Sequence, residues 1–302
     1  MVKKFETEMG NFLWKSSGWL LRVALNEVKN PPLKGGLNLI CLQGMCKSLL
    51  LSQLLRLLKS SDVKSIQHIS YWLGNQVNQL QPNLSNVRAV NVPEYFSVLD
   101  TAIADAMRNN VITLGGWKKL TNKVIYMKHV EALPVCKVEI DAGICYKNVW
   151  RLINLPIITS TVREVTYLMI HNKLPIIERL FRIGLKNDPY CNDCSGAETC
   201  DMEHFFCSCV RVRVVWQLVK NLLSRMGLAS LSDKALLNFL WPAFKLEKEA
   251  VWLLTNYVYV AWDSYTSQPG KLLATDEFFG FLKFKYKTDQ LGARLQLSPI
   301  FS

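Results

Sequence analysis

Acidic residues are in short supply in this chain of 302: 24 Asp and Glu stand against 36 Lys and Arg, for a net charge of +12 and an isoelectric point near 9.3. Such a balance favours polyanionic partners, nucleic acid above all. The Lys and Arg are spread along the chain with no arginine-rich tract, so ordinary solubilising charge is the competing account. A bilayer-spanning run is also missing. A spanning helix takes about 20 apolar residues, whereas the strongest candidate, 250–262, is shorter and contains Thr255 and Asn256. It reads as a buried helix, and no membrane partner is expected. The opening residues, Met1-Val-Lys-Lys-Phe-Glu-Thr-Glu, lack the apolar stretch of a secretory signal, and the protein is expected to be intracellular, in nucleus or cytoplasm. There is no low-complexity tract and no internal repeat. With 50% apolar residues, the chain has enough to bury one large core or two modest ones.

Familiar catalytic patterns are absent as well. The sequence has no Gly-x-x-x-x-Gly-Lys-Ser/Thr loop, no Gly-x-Ser-x-Gly elbow and no His-Glu-x-x-His helix. Nucleotidyl transfer with metals needs carboxylates converging on two cations, and no paired-aspartate motif supplies them. Of the four histidines, His68 and His129 have no partner at a telling spacing, and His171 lies in an apolar helical run as a structural residue would. A non-enzyme is expected.

What the chain does contain is helical periodicity. Leu49, Leu50, Leu54, Leu57 and Leu58 mark an amphipathic helix after the break at Asn30-Pro-Pro-Leu-Lys-Gly-Gly. Further helices are predicted around 69–73, over 96–109, over 161–174 with Pro175 as its stop, over 176–185, and over 212–226, 232–240, 245–264 and 275–285. Residues 136–140 alternate like a short strand. The expected fold is mainly α, with helical bundle-like segments and a small irregular metal-binding module. Four segments are expected: 1–61, a connector with helices over 62–135, a helical region over 136–230 with the module core at 191–209, and a C-terminal helical region over 231–302.

That module is marked by cysteine spacing. Five of the nine cysteines fall between Cys191 and Cys209, with one histidine among them. The order is Cys191-x-x-Cys194, nine residues, then His204-x-x-x-x-Cys209. Thiolate and imidazole are the preferred protein ligands of zinc, and four of them close a structural tetrahedral site around one Zn2+. Cys207 competes with Cys209 for the fourth position, and Cys200 is a further spare. His204 and Cys209 cannot share one face of a regular α-helix, because five steps of about 100° separate them widely in angle; a turn must bring them together. Buried thiols without metal are the plainer account. Disulfides are disfavoured inside the cell.

The residues around this cluster resemble a known family. Lys173-Leu-Pro-Ile-Ile-Glu-Arg-Leu-Phe-Arg-Ile-Gly-Leu, then Asp188-Pro-Tyr-Cys-Asn-Asp-Cys, then Glu203-His-Phe-Phe-Cys-Ser-Cys, and Trp216 beyond, are similar to the zinc-binding region downstream of LINE-type (non-LTR) retrotransposon reverse transcriptases. Phe12-Leu-Trp-Lys, Pro31-Pro-Leu-Lys-Gly-Gly-Leu-Asn-Leu, Tyr71-Trp-Leu-Gly and Val138-Glu-Ile-Asp-Ala-Gly resemble, in order, the segment after the polymerase palm, making 1–61 a thumb-like remnant. The resemblance implies Cys191, Cys194, His204 and Cys209 as the ligands of one structural zinc. It also implies a role in holding RNA or DNA with little regard to sequence, alongside an intact element polymerase in trans. Arg179, Arg182, Lys186, Arg211 and Arg213 flank the cluster as candidate phosphate contacts, with Lys118, Lys119 and Lys123 as a second patch. The polymerase Asp-Asp motif and the endonuclease of such elements are absent, so the alternative is an element-derived relic without present activity. Extension of a primed RNA template by the purified protein is therefore expected to be undetectable; magnesium-dependent extension abolished by replacing one Asp or Glu would contradict this.

Overall fold

The computed structural model describes residues 2–13, 23–60, 62–74, 77, 80, 91–113, 116–134, 147–194, 198–240 and 248–288. Among them there is no strand, only one antiparallel bridge between Tyr190 and Thr199, so the fold is mainly α as expected. The strand expected at 136–140 lies outside the described residues. The chain divides into two compact units: one comprises 1–10, 29–31 and 37–134, the other 11–28, 32–36 and 135–302.

After α1 (Val2–Leu13), the first unit is built from α2 (Leu42–Lys59), α3 (Val63–Leu73), α4 (Glu94–Arg108) and α5 (Asn122–Glu131). Side-chain caps start two of them: Asp62 accepts from the Lys64 amide and Thr121 from that of Val124. The core gathers Leu51, Leu54, Leu55 and Leu58 of α2 with Ile69, Leu73, Leu99, Ile103 and Trp117. The leucine stripe read from sequence is rotated slightly, since Leu49 and Leu57 face solvent. A helix this rich in leucine offers apolar residues all round, and its partners choose the buried side. The helices α1 and α5 were not foreseen.

The second unit contains α6 (Lys147–Ile153), α7 (Ser160–Ile170), α8 (Ile177–Arg182), α9 (Arg213–Leu223), α10 (Asp233–Leu237), α11 (Lys248–Ser267) and α12 (Thr275–Thr288). The helix α11 contacts α6, α7, α9 and α12, and residues 250–258 are buried without interruption. A helix apolar on every side must be covered on every side, which accounts for the longest apolar run. Among the described residues no helix is long and apolar enough to cross a membrane.

Asparagine, not proline, ends α7. Asn172 takes a left-handed φ of 53°, its amide bonds the Met169 carbonyl at 2.9 Å and the Lys173 amide bonds that of Leu168 at 2.8 Å. These two bonds make a Schellman cap, so the helix stops four residues before the expected end. Asn110 closes α4 and Gly184 closes α8 in the same way.

His171 is structural, as its apolar setting suggested. Its Nε2 lies 3.1 Å from the Gly35 carbonyl, its Nδ1 3.6 Å from a Glu27 carboxylate oxygen, and its ring stacks on Trp150 at 5.2 Å. The Tyr167 hydroxyl donates to the same Gly35 carbonyl at 3.0 Å. Gly35 has φ of +77°, and a Cβ there would come within 2.6 Å of the Trp150 ring. Gly35→Ala combines backbone strain with an overpacked contact and is expected to destabilise this unit by about 1–3 kcal/mol. Urea unfolding followed by helical circular dichroism measures this, and an unchanged midpoint would contradict the packing described.

Candidate metal centre

The cysteine cluster is folded by short-range backbone bonds between α8 and α9. The Cys191 amide donates to the Glu198 carbonyl at 3.0 Å and the Cys200 amide to that of Pro189 at 2.8 Å, flanking the Tyr190–Thr199 bridge. This narrow ribbon carries Cys191 and, at its bend, Cys194. The other half is a single π-helical turn, His204–Ser208. The Cys209 amide donates five residues back to the His204 carbonyl at 2.8 Å. That wider spacing is what stacks Cys209 over His204, where an α-helix would have turned them apart.

The ligand atoms of Cys191, Cys194, His204 and Cys209 all lie within 4.8 Å of one another, close enough to hold a metal ion. The Cys191 and Cys209 Sγ atoms are 3.8 Å apart, those of Cys194 and Cys209 3.9 Å, and Cys194 Sγ lies 3.5 Å from His204 Nε2. The Val210 amide donates to Cys194 Sγ at 3.5 Å. On the far side of the imidazole, His204 Nδ1 lies 2.8 Å from a Glu198 carboxylate oxygen and 3.2 Å from Ser208 Oγ. Asp201 accepts from the His204 amide at 2.7 Å and so fixes the start of the π turn.

The spare thiols are not among the four converging groups. Cys207 is buried, and that burial, followed by the nearby Asp233 and Glu203 carboxylates, holds its thiol well above the ordinary range. Cys200 sits beside Cys191, and burial first, then that neighbour, pushes it up to about 12. Both behave as small hydrophobes.

Two side chains join the cluster to α11. The Tyr257 hydroxyl donates to the Phe206 carbonyl inside the π turn. Arg211 is the larger surprise. Its guanidinium bonds the carbonyls of Lys271 and Gln268, each at 2.9 Å, and of Ser264 at 3.4 Å; it also approaches Asp193 at 3.7 Å and lies over the Tyr265 ring at 5.2 Å. Expected as a phosphate contact, Arg211 is corrected to an internal strut, since it is buried and its donors face protein carbonyls.

No family model, curated protein or solved structure matches this chain.

The remaining sequence-derived cations separate by environment. Arg179 is half-buried, donates to the Lys173 carbonyl, and has its proton affinity lowered by burial and then by Arg182. Arg182 pairs with Glu178 at 2.9 Å but leaves half of its side chain exposed. Lys186 and Arg213 are exposed, as are Lys118, Lys119 and Lys123 in the first unit. Glu198, Asp201 and Arg211 were not read from sequence as supports of the cluster. Each acts through a contact that spacing does not encode. Because Cys209 and not Cys207 meets the other ligands, Cys207→Ala is expected to retain bound metal and Cys209→Ala to lose it, measured by elemental analysis of the full chain. The reverse pattern would reassign the fourth ligand.

Proposed function

We propose that Cys191, Cys194, His204 and Cys209 hold one structural Zn2+, and that the chain is a non-catalytic module that binds RNA or DNA through the zinc-braced unit. The observation that carries the metal assignment is the size of the cluster. A tetrahedron with zinc–sulfur bonds of about 2.3 Å and a zinc–nitrogen bond of about 2.0–2.1 Å has sulfur–sulfur edges of about 3.8 Å and sulfur–nitrogen edges of about 3.6 Å. Three of the six edges here measure 3.8, 3.9 and 3.5 Å, and all six lie within 4.8 Å, a span that a bound ion would tighten only slightly. Three soft thiolates with one imidazole suit zinc, and four protein ligands leave no position for a reacting water, so the role is structural.

The nucleic-acid reading rests on the excess of positive charge and on the resemblance of this segment to the zinc-binding region of LINE-type reverse transcriptases. Arg182, Lys186 and Arg213 are the side chains near the cluster that remain open to a phosphate. Phosphate contacts position a ligand without reading its bases, so binding is largely indifferent to sequence. Phe205, Phe206 and Trp216 are buried in the unit and are not offered for base stacking.

Protein prepared without chelator is expected to carry about one zinc per chain. Its affinity for a mixed-sequence RNA or DNA oligonucleotide should fall linearly on a log–log plot against salt, and each of Arg182→Ala, Lys186→Ala and Arg213→Ala that removes a phosphate contact should flatten the slope by about 0.7–0.9. Zinc-loaded protein that shows no affinity for either nucleic acid at low salt would leave a folded relic as the better account.

A further inference from the structure

The metal-facing geometry of His204 depends on what holds its other nitrogen. Nε2 faces the thiols, 3.5 Å from Cys194 Sγ, while Nδ1 faces away toward Glu198 at 2.8 Å and Ser208 at 3.2 Å. The imidazole is 5% exposed, the Glu198 side chain 63%. A carboxylate can accept a hydrogen bond from Nδ1–H and cannot donate one, so this contact selects the tautomer whose Nε2 lone pair points into the cluster. The Ser208 hydroxyl can turn either way and selects nothing by itself.

Glu198 also acts through its backbone. Its carbonyl accepts the Cys191 amide at 3.0 Å, so one residue touches a ligand from each half of the site. The ribbon supplies Cys191 and the π turn supplies His204, and Glu198 lies between them. Asp201, the other carboxylate here, bonds the His204 amide and leaves the ring alone.

We propose that Glu198 is the positioning residue of this metal centre: it orients the His204 imidazole through its contact with Nδ1 and so sets the affinity of the site. This rests on the metal reading above. Outer partners of metal-bound histidines typically contribute about 10–100-fold to metal affinity. The exposure of Glu198 makes the contribution one of hydrogen bonding and not of packing, so the fold tolerates its removal.

The experiment uses the full chain and four variants: Glu198→Ala, Glu198→Asp, Ser208→Ala and His204→Ala. Zinc affinity is measured by competition with a chromophoric chelator, and the ring tautomer by long-range nitrogen–proton NMR of the zinc-loaded protein. Glu198→Ala is expected to weaken zinc about 10–100-fold and to shift the His204 Nδ1 resonance, with helical circular dichroism unchanged. Recovery of part of the loss by Glu198→Asp is the signature of the carboxylate, and Ser208→Ala should change the affinity far less than Glu198→Ala. Equal affinity in Glu198→Ala and wild type, while His204→Ala binds weakly, would overturn the role of Glu198 and leave the metal site standing. Wild type that binds no zinc would bring down both.

Discussion

Three thiols and an imidazole lie within 4.8 Å of one another in the second unit, close enough to hold a cation. Burial pushes the Cys209 thiol well up, and the adjacent Cys191 and Cys194 thiols add to the rise, because a second negative charge in that space is repelled. A dipositive ion reverses this logic and deprotonates coordinating thiols outright. The ribbon around the Tyr190–Thr199 bridge and the π turn His204–Ser208 supply these groups, and Phe205 and Phe206 bury the π turn in the unit. A metal ion held by these four groups would couple its binding to the local fold.

Two side chains tie the cluster to the core of the second unit. The Tyr257 hydroxyl bonds the π turn from the most deeply buried stretch of α11. From the C-terminal side of the cluster, Arg211 gathers carbonyls at the end of α11 and beyond it while facing Asp193 between the first two ligands. A buried arginine of this kind is stable only because nearly all its donors find acceptors. Removing it would strand carbonyls at the end of α11 and an aspartate beside Cys194. The cation read from sequence as a phosphate contact is thus a brace for the Cys/His cluster.

The four clustered residues were legible because metal spacing is local: Cys-x-x-Cys and a His–Cys pair announce themselves within 19 residues, from Cys191 to Cys209. The choice between Cys207 and Cys209 was not, since it turns on a π turn that no residue pattern specifies. Long amphipathic helices such as Leu42–Lys59 and the wholly buried Lys248–Ser267 were also readable, though the buried side of the former was set by its neighbours. Asn122–Glu131 was missed because its apolar residues fall on no single stripe, with Ile125 and Val130 alone buried. The end of α7 was misplaced because Pro175 is a conspicuous stop while Asn172, which makes the cap, looks ordinary. Arg211 was misassigned for a related reason: charge is visible in a sequence, and the carbonyls that surround it are not.

The central claim is that one metal ion is held by three sulfurs and one imidazole nitrogen in this chain. X-ray absorption fine structure on the full-length protein, purified with zinc, tests it most directly. The account predicts a four-coordinate shell of three sulfurs at about 2.3 Å and one nitrogen at about 2.0–2.1 Å, with the outer-ring scattering of a single histidine. A shell of nitrogen and oxygen alone, or one that retains all three sulfurs after Cys209→Ala, would contradict it.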